Sequence, residues 1–530
     1  MLKLRQSFSS RPAGMLRALA VFLSAVLLLL AVSCAGGIPA QESSEPEPAS
    51  DAVSAEESKT QQDPYRNAEG KYSLDGVNMP AFDFQETEFR VLVYSNHVQT
   101  TYFSEEVEPD MYETTDAVLN EAVRTRNDLL EERYGVKIKA VAVDSVGSSL
   151  RESVTTATDV CDAAMPFFSD AAVLAQEGIL YDLKQFEKYI HLEAPWWDQS
   201  ANRTLSVDQK LYFTTGDISI MQKITSGAVL FNKTLYAETL EETYGSLYDK
   251  VKNHEWTFDL MYEMTHGLNR NLDEDPAMEA GSDFFGMSSG NGDAIAFYLG
   301  FGGHIIDKGP DDLPYLALGE TEESISLSRR ILERLTEPDY MLISEDYKGK
   351  VPNCWEYCLA TFGENRSVMR TTAFSAIKKL RAFEGTNPFG IVPFPLSSPL
   401  QEDYCTPCGG TYAYGVAIPL NAKNPDFSAF MLEAMACEGK NLITPAYYET
   451  TLKSRDLAYD DESGEMLDSY IFKNMMYELA NVYNFGGISS MFGTLMSQKS
   501  SDVVSNLDAI RTKVDSAIKE CVEIYRADVA

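Results

Sequence analysis

Two periods of hydrophobic and polar positions alternate along residues 85–180. Residues 89–94 read Phe-Arg-Val-Leu-Val-Tyr, a short β-rich run closed by the polar Ser95-Asn96-His97. Thr115 or Asp116 then precedes Val118, Leu119, Ala122, Val123, Leu129, Leu130 and Tyr134, a spacing of roughly 3.6 that predicts a capped helix ending at Gly135. Residues 136–143 return to strand character, residues 160–165 repeat it, and Pro166-Phe167-Phe168-Ser169-Asp170 opens a helix stopped at Gly178. Strand, helix, strand, helix, strand predicts an α/β fold with a mostly parallel, doubly wound sheet. Ligands of such sheets lie beyond the carboxyl ends of the strands, which singles out Ser95, Asn96 and His97 and the turn from Phe167 to Asp170.

The pattern restarts further along. A cluster at residues 211–217 (Leu-Tyr-Phe-Thr-Thr-Gly-Asp) is followed by Gly227-Ala228-Val229-Leu230-Phe231-Asn232-Lys233, a strand leading into a helix and the expected crossing into a second lobe. Thr257 is placed to cap a helix, with Trp256 before it and Met261 positioned as a hydrophobic staple. Residues 374–379 and 389–394 read as later crossings, 411–419 as one more strand, and the chain from Pro425 onward as mainly helical. No repeat of a fixed period is visible, which argues against solenoids and propellers.

Residues 1–33 read differently. Lys3, Arg5, Arg11 and Arg17 precede an apolar run over 18–31 that is short for a membrane span, as in a signal peptide. The run ends at Ala31-Val32-Ser33-Cys34, which resembles a bacterial lipobox, although Leu would be more typical than Ala31. Cys34 is then the expected lipidation site and first mature residue; a plain secretory peptide with a coincidental cysteine is the alternative. Residues 34–84 make an acidic linker rich in Glu, Ser, Pro, Ala and Gln, expected to be a disordered tether. Loss of 1–33 removes four basic and no acidic side chains, taking the formal net charge from −36 to −40. That charge opposes nucleic acid and anionic lipid alike, because binding to either draws on clustered Lys and Arg. A content of 44% hydrophobic and 11% aromatic residues requires a packed core.

Candidate chemistry is sparse. Beyond Cys34 there are seven cysteines, and Cys405-Thr406-Pro407-Cys408 is expected to hold either a loop disulfide or two free thiols. Cys354 and Cys358 lack supporting His, so neither a metal nor a cofactor is expected. Gly286-Met287-Ser288-Ser289-Gly290 matches a nucleophile elbow, but the one His downstream is His304, sixteen positions on, too near for the usual acid and base loops. The five His residues form no His-Glu-x-x-His, and Pro276 spoils the calcium-loop pattern of residues 271–275. A surface glycosidase remains an alternative, since two carboxylates among 80 acidic residues can always be found. A structural or adhesive lipoprotein is another.

Several segments in order carry a family resemblance: Tyr181-Asp182-Leu183, Pro195-Trp196-Trp197-Asp198, Lys210 to Phe213 with Gly216-Asp217, Phe231-Asn232-Lys233, Trp256-Thr257-Phe258-Asp259, Phe301-Gly302-Gly303, residues 390–395 and residues 460–468. Together with the lipobox and acidic linker, they resemble the extracellular solute-binding lipoproteins of ABC importers, nearest to the large members associated with sugars or oligosaccharides. The resemblance implies a two-lobed, type II periplasmic-binding-protein-like fold, each lobe a doubly wound sheet flanked by helices, joined by hinge strands. It places lobe 1 at 85–220 with 393–436 and lobe 2 at 221–392 with 437–530. It implies a monomer that captures a small solute, delivers it to permease subunits and breaks no bond. Sugar capture needs aromatic faces and polar groups, which the expected strand ends supply as Tyr94, Asn96, Phe168, Asp170, Asp217, Trp355, Arg370, Thr371, Tyr412 and Tyr414. Plainer roles compete: Trp196, Trp197 and Trp256 as packing, Asp170 and Asp217 as caps, and Arg370 as the partner of a surface carboxylate.

Overall fold

The structure, a computed structural model, describes residues 63–77, 79, 85, 87–273, 275–449 and 460–527. The signal-peptide and lipidation readings, and most of the linker, lie outside them. Among the described residues no helix is long and apolar enough to cross a membrane.

The first sheet has the order β2-β1-β3, with β1 at Glu88–Tyr94, β2 at Lys137–Val143 and β3 at Ala163–Ala164, all parallel. Phe89, Val91, Leu92 and Val93 are buried on both faces of β1, which explains its unbroken apolar run. Each parallel step needs a crossover. The helix Ala117–Tyr134 supplies the first; the Asp116 side chain accepts from Val118 N–H, and Gly135 closes the helix at φ 72°, a left-handed turn that glycine adopts without a Cβ penalty. The helix Val146–Thr156 supplies the second, and Phe168–Gln176 follows β3. The stretch expected as a strand over 411–419 lies antiparallel beside β3: Ala164 and Ala417 exchange hydrogen bonds at 2.9 and 3.0 Å, and Val416 pairs with Thr214 on its other side. The third strand is shorter than expected because its pairing with β1 stops at Ala164 and the chain turns into the 168–176 helix.

The second sheet is mixed. Its strands are β4 Gly227–Asn232, β5 Phe285–Ser289, β8 Leu342–Ile343, β9 Ser367–Ala373 and β10 Phe389–Val392, in the order β10-β4-β9-β5-β8. β4 runs antiparallel to both neighbours, while β9, β5 and β8 are parallel. Two small pairs complete the strands, β6 Ile306–Lys308 with β7 Pro314–Leu316 and β11 Thr406–Pro407 with β12 Met475–Met476. The crossing read at 374–379 is instead a strand-to-helix junction: β9 ends at Ala373 and a helix occupies Ser375–Leu380, burying Ile377 and Leu380. Trp256 and Met261 are both buried around the helix Phe258–Thr265, where Thr257 Oγ1 accepts from Leu260 N–H at 3.2 Å. Thr257→Ala is expected to cost about 1 kcal/mol in chemical denaturation, the usual worth of an N-cap.

Candidate functional site

Four passages of chain meet at one junction. Gly409 N–H donates to Thr225 O at 3.1 Å, Phe374 N–H to Ser226 O at 3.0 Å, and Cys408 N–H to Met476 O at 2.9 Å. Cys408 is buried in this junction with Sγ 3.4 Å from Gln222 O, whereas Cys405 Sγ faces Asp403 O. The two sulfurs therefore point to different partners, and both residues are free thiols rather than a loop disulfide.

Beside the junction lies a cavity of about 490 Å³. Thr101, Tyr102 and Tyr412 wall it from the first sheet's side; Asp293, Glu345, Trp355, Glu356, Arg370 and Thr371 wall it from the second's. Four expected residues thus converge: Trp355, Arg370, Thr371 and Tyr412. The Tyr412 ring stacks on Tyr102 at 4.6 Å and 9°, and its edge meets Phe167 at 5.3 Å. Trp355 is 54% exposed, and its indole N–H donates to Glu345 Oε1 at 3.1 Å. The site thereby carries two solvent-exposed aromatic side chains, Trp355 and Tyr412. Asp293 Oδ2 accepts from the Thr371 hydroxyl at 2.6 Å, the Ser289 hydroxyl at 2.8 Å and Gly290 N–H at 2.8 Å. Glu345 Oε2 accepts from Asn291 N–H at 2.8 Å. Arg370 is 6% exposed, and burial lowers its pKa against the opposing pull of Asp293, Cys358 and Glu345.

A second cavity of about 460 Å³ shares Thr101, Ser375 and Lys379 with the first and contains Asn96 with Phe103, Lys378 and Arg381. Burial raises the Glu105 carboxyl there, although Lys378 at 3.4 Å favours its charge. The remaining expected residues are placed elsewhere. The Tyr94 hydroxyl donates to Asp170 Oδ2 at 2.5 Å and accepts from Phe167 N–H, while its ring stacks on Phe167 at 3.9 Å. The buried Tyr414 hydroxyl donates to Tyr102 O at 3.2 Å. Tyr94, Asp170 and Tyr414 therefore underlie the Tyr102–Tyr412 platform without lining either cavity. Phe168 is core, packed on Phe213 and Tyr477. Asp217 sits in a separate cavity of about 420 Å³, ion-paired to Lys223 and Lys440.

Sequence reasoning missed Tyr102, Asp293, Glu345 and Lys379. Tyr102 carried a usable signal as an aromatic in the loop after β1. Asp293 follows Gly290-Asn291-Gly292 after β5, three positions beyond the motif considered for a nucleophile. That motif does have its strand and its helix, Asp293–Gly300. Its Ser288 hydroxyl is buried and accepts from Ser367 Oγ and Arg370 Nη1, while His304 sits against Glu478 at 3.4 Å. No base addresses the serine. Among the described residues no group of His, Cys, Asp and Glu is placed to hold a metal ion. A larger cavity, about 630 Å³, lies beside His304 and Lys308. It contains none of the expected residues, and its Lys308 ammonium is engaged by Asp312 and the Ser206 carbonyl, so the recognition chemistry is better supplied between the aromatic faces.

No protein-family model matches the chain, and no curated protein matches it. Among solved structures, UgpB from Mycobacterium tuberculosis in complex with glycerophosphocholine aligns with a TM-score of 0.52 at 14% identity, over 82% of this chain and 98% of its own. A cyclo/maltodextrin-binding protein complexed with maltotetraose gives 0.51 at 13%, over 84% and 99%. UspC from M. tuberculosis gives 0.51 at 14%, over 81% and 100%. The chain has the two-lobed periplasmic-binding-protein fold. Residues following strands of both sheets line the 490 and 460 Å³ cavities, Thr101 from the loop after β1 and Ser375 from the helix after β9 being common to the two.

Proposed function

We propose that the protein captures a hydrophilic solute, a sugar or oligosaccharide, in the interlobe cleft and delivers it to the permease of an ABC importer while tethered to the outer face of the cell membrane through Cys34. The observation that carries this reading is the presence of exposed Trp355 and Tyr412 in one cavity whose walls also carry hydroxyls, carboxylates, an asparagine, a lysine and an arginine. Rings offer faces to the apolar C–H side of a pyranose, and the polar groups take its hydroxyls. The ligand named for the cyclo/maltodextrin-binding structure, maltotetraose, is of this class. The lobe division that fits is 85–220 with 393–436 against 221–392 with 437–530, supported by the pairing of 411–419 with β3.

A ligand that touches both walls favours the closed state only by binding it better than the open one. Titration with a carbohydrate panel is therefore expected to raise the melting temperature, by roughly 3–5 °C at a hundredfold excess over Kd, with compaction in solution scattering and no product. A panel that produces no shift overturns the sugar reading. Accumulating product overturns capture in favour of a glycosidase.

A further inference from the structure

The interlobe cavity contains one side chain whose chemistry the neutral-sugar reading does not use. Arg370 is 6% exposed and makes no ion pair among the described residues, in a chain with 80 acidic side chains. Both of its hydrogen bonds leave from one nitrogen, Nη1 to Ser288 Oγ at 3.3 Å and to Cys358 O at 3.2 Å. Nε is buried without a partner. Guanidinium groups in protein interiors are ordinarily paired, because an uncompensated buried charge is costly. The carboxylates nearest it are committed: Asp293 accepts three hydrogen bonds, and Glu345 bridges Asn291 N–H and the Trp355 indole. Glu356 is held by Lys379 at 2.8 Å. Nε–H and Nη2–H point the same way and form a flat fork, which matches the two oxygens of a carboxylate.

We propose that Arg370 receives an anionic group of the solute, specifically the carboxylate of a uronic-acid residue, so that the cleft selects an acidic oligosaccharide over its neutral counterpart. The inference rests on the solute-capture reading and narrows it. Trp355 and Tyr412 would take the sugar rings while the Nε–Nη2 edge of Arg370 takes the charge. Asp293, Glu345 and Glu356 line the same cavity and disfavour a second negative charge, so the site takes one carboxylate at the fork rather than a polyanion along the wall.

The test is titration calorimetry of the mature chain with oligogalacturonates and oligoglucuronates, with the same oligosaccharides after reduction of the carboxyl to a primary alcohol, and with glucose 6-phosphate as a phosphate-bearing probe. A uronate is expected to bind at least tenfold tighter than its reduced twin. In Arg370→Gln that ratio is expected to fall to about one, and Arg370→Lys to recover part of it, since a lysine restores charge without the fork. The wild-type ratio requires no variant, so it decides the matter even if Arg370→Gln folds poorly. Equal or tighter binding of the reduced sugars overturns the proposal and leaves sugar capture standing. Preference for glucose 6-phosphate over every uronate overturns the carboxylate assignment. Binding of no carbohydrate, acidic or neutral, overturns the solute-capture reading on which the proposal depends.

Discussion

Trp355→Ala is expected to weaken solute binding roughly 30- to 100-fold, about 2–3 kcal/mol, the scale of a desolvated aromatic anchor. The same variant should melt close to the wild type without ligand. Trp355 is 54% exposed, and the hydrogen bond it gives up, to Glu345, is partly solvated and worth about 0.5–1.5 kcal/mol. Tyr412→Ala separates differently. Its ring stacks on Tyr102 and meets Phe167 edge-on, so its loss is expected to lower both affinity and stability. Calorimetric titration beside chemical denaturation of the two variants reads the contrast. Unchanged affinity in both would remove the aromatic faces from the binding account, whatever the ligand.

The contrast also shows how far the sequence could lead. The strand at residues 89–94, the Asp116 cap, the Gly135 stop and the Thr257 cap were legible because each depends on neighbours within a few positions. Helix periodicity and capping are local physics. The short β3 and the junction at Ala373 were not legible, because pairing partners far along the chain decide where those strands end. The same division runs through the site. Trp355, Arg370, Thr371 and Tyr412 come from a helix, a strand and a loop far apart in the chain and share one cavity. Tyr94, Asp170 and Tyr414 satisfied the same strand-end criterion, yet they hydrogen-bond and stack beneath the platform, since only the order of layers distinguishes a support from a surface. Asp217 looked like a polar residue at a strand end. The two lysines that claim it are 6 and 223 positions away, and the second cannot be anticipated from spacing.

Those lysines make Asp217 the position where a single polar change should cost most stability. Oδ1 accepts from Lys223 Nζ at 3.2 Å and from the Thr444 hydroxyl at 2.6 Å, and Oδ2 accepts from Lys440 Nζ at 2.9 Å. The side chains of Asp217 and Lys223 are each 10% exposed, that of Lys440 24%. Asp217→Ala leaves two largely buried cations facing one another without their carboxylate, a loss of about 3–5 kcal/mol for a broken buried pair. The lower end is expected, because Lys440 also lies 5.1 Å over the Tyr72 ring and keeps that contact. Burial alone would raise the Asp217 pKa, but Lys223, Lys440 and the Thr444 hydroxyl outweigh it and hold it below the ordinary range. Its stabilisation is therefore complete above the unfolded value of about pH 4 and is lost as the pH falls through the lower folded value. Chemical denaturation of wild type and variant should show the full difference at pH 7 and a difference shrinking toward zero in strong acid. A gap that persists in acid would mean that the loss comes from packing and not from the ion pairs. Gly439→Ala probes the same junction by shape: a Cβ there would lie 2.2 Å from the Asp217 carbonyl oxygen, a backbone atom that cannot swing aside. Its destabilisation, of about 1–3 kcal/mol for overpacking, is expected to be independent of pH. The pair of variants thus separates charge from fit at the point where residues 439–444 close onto Asp217.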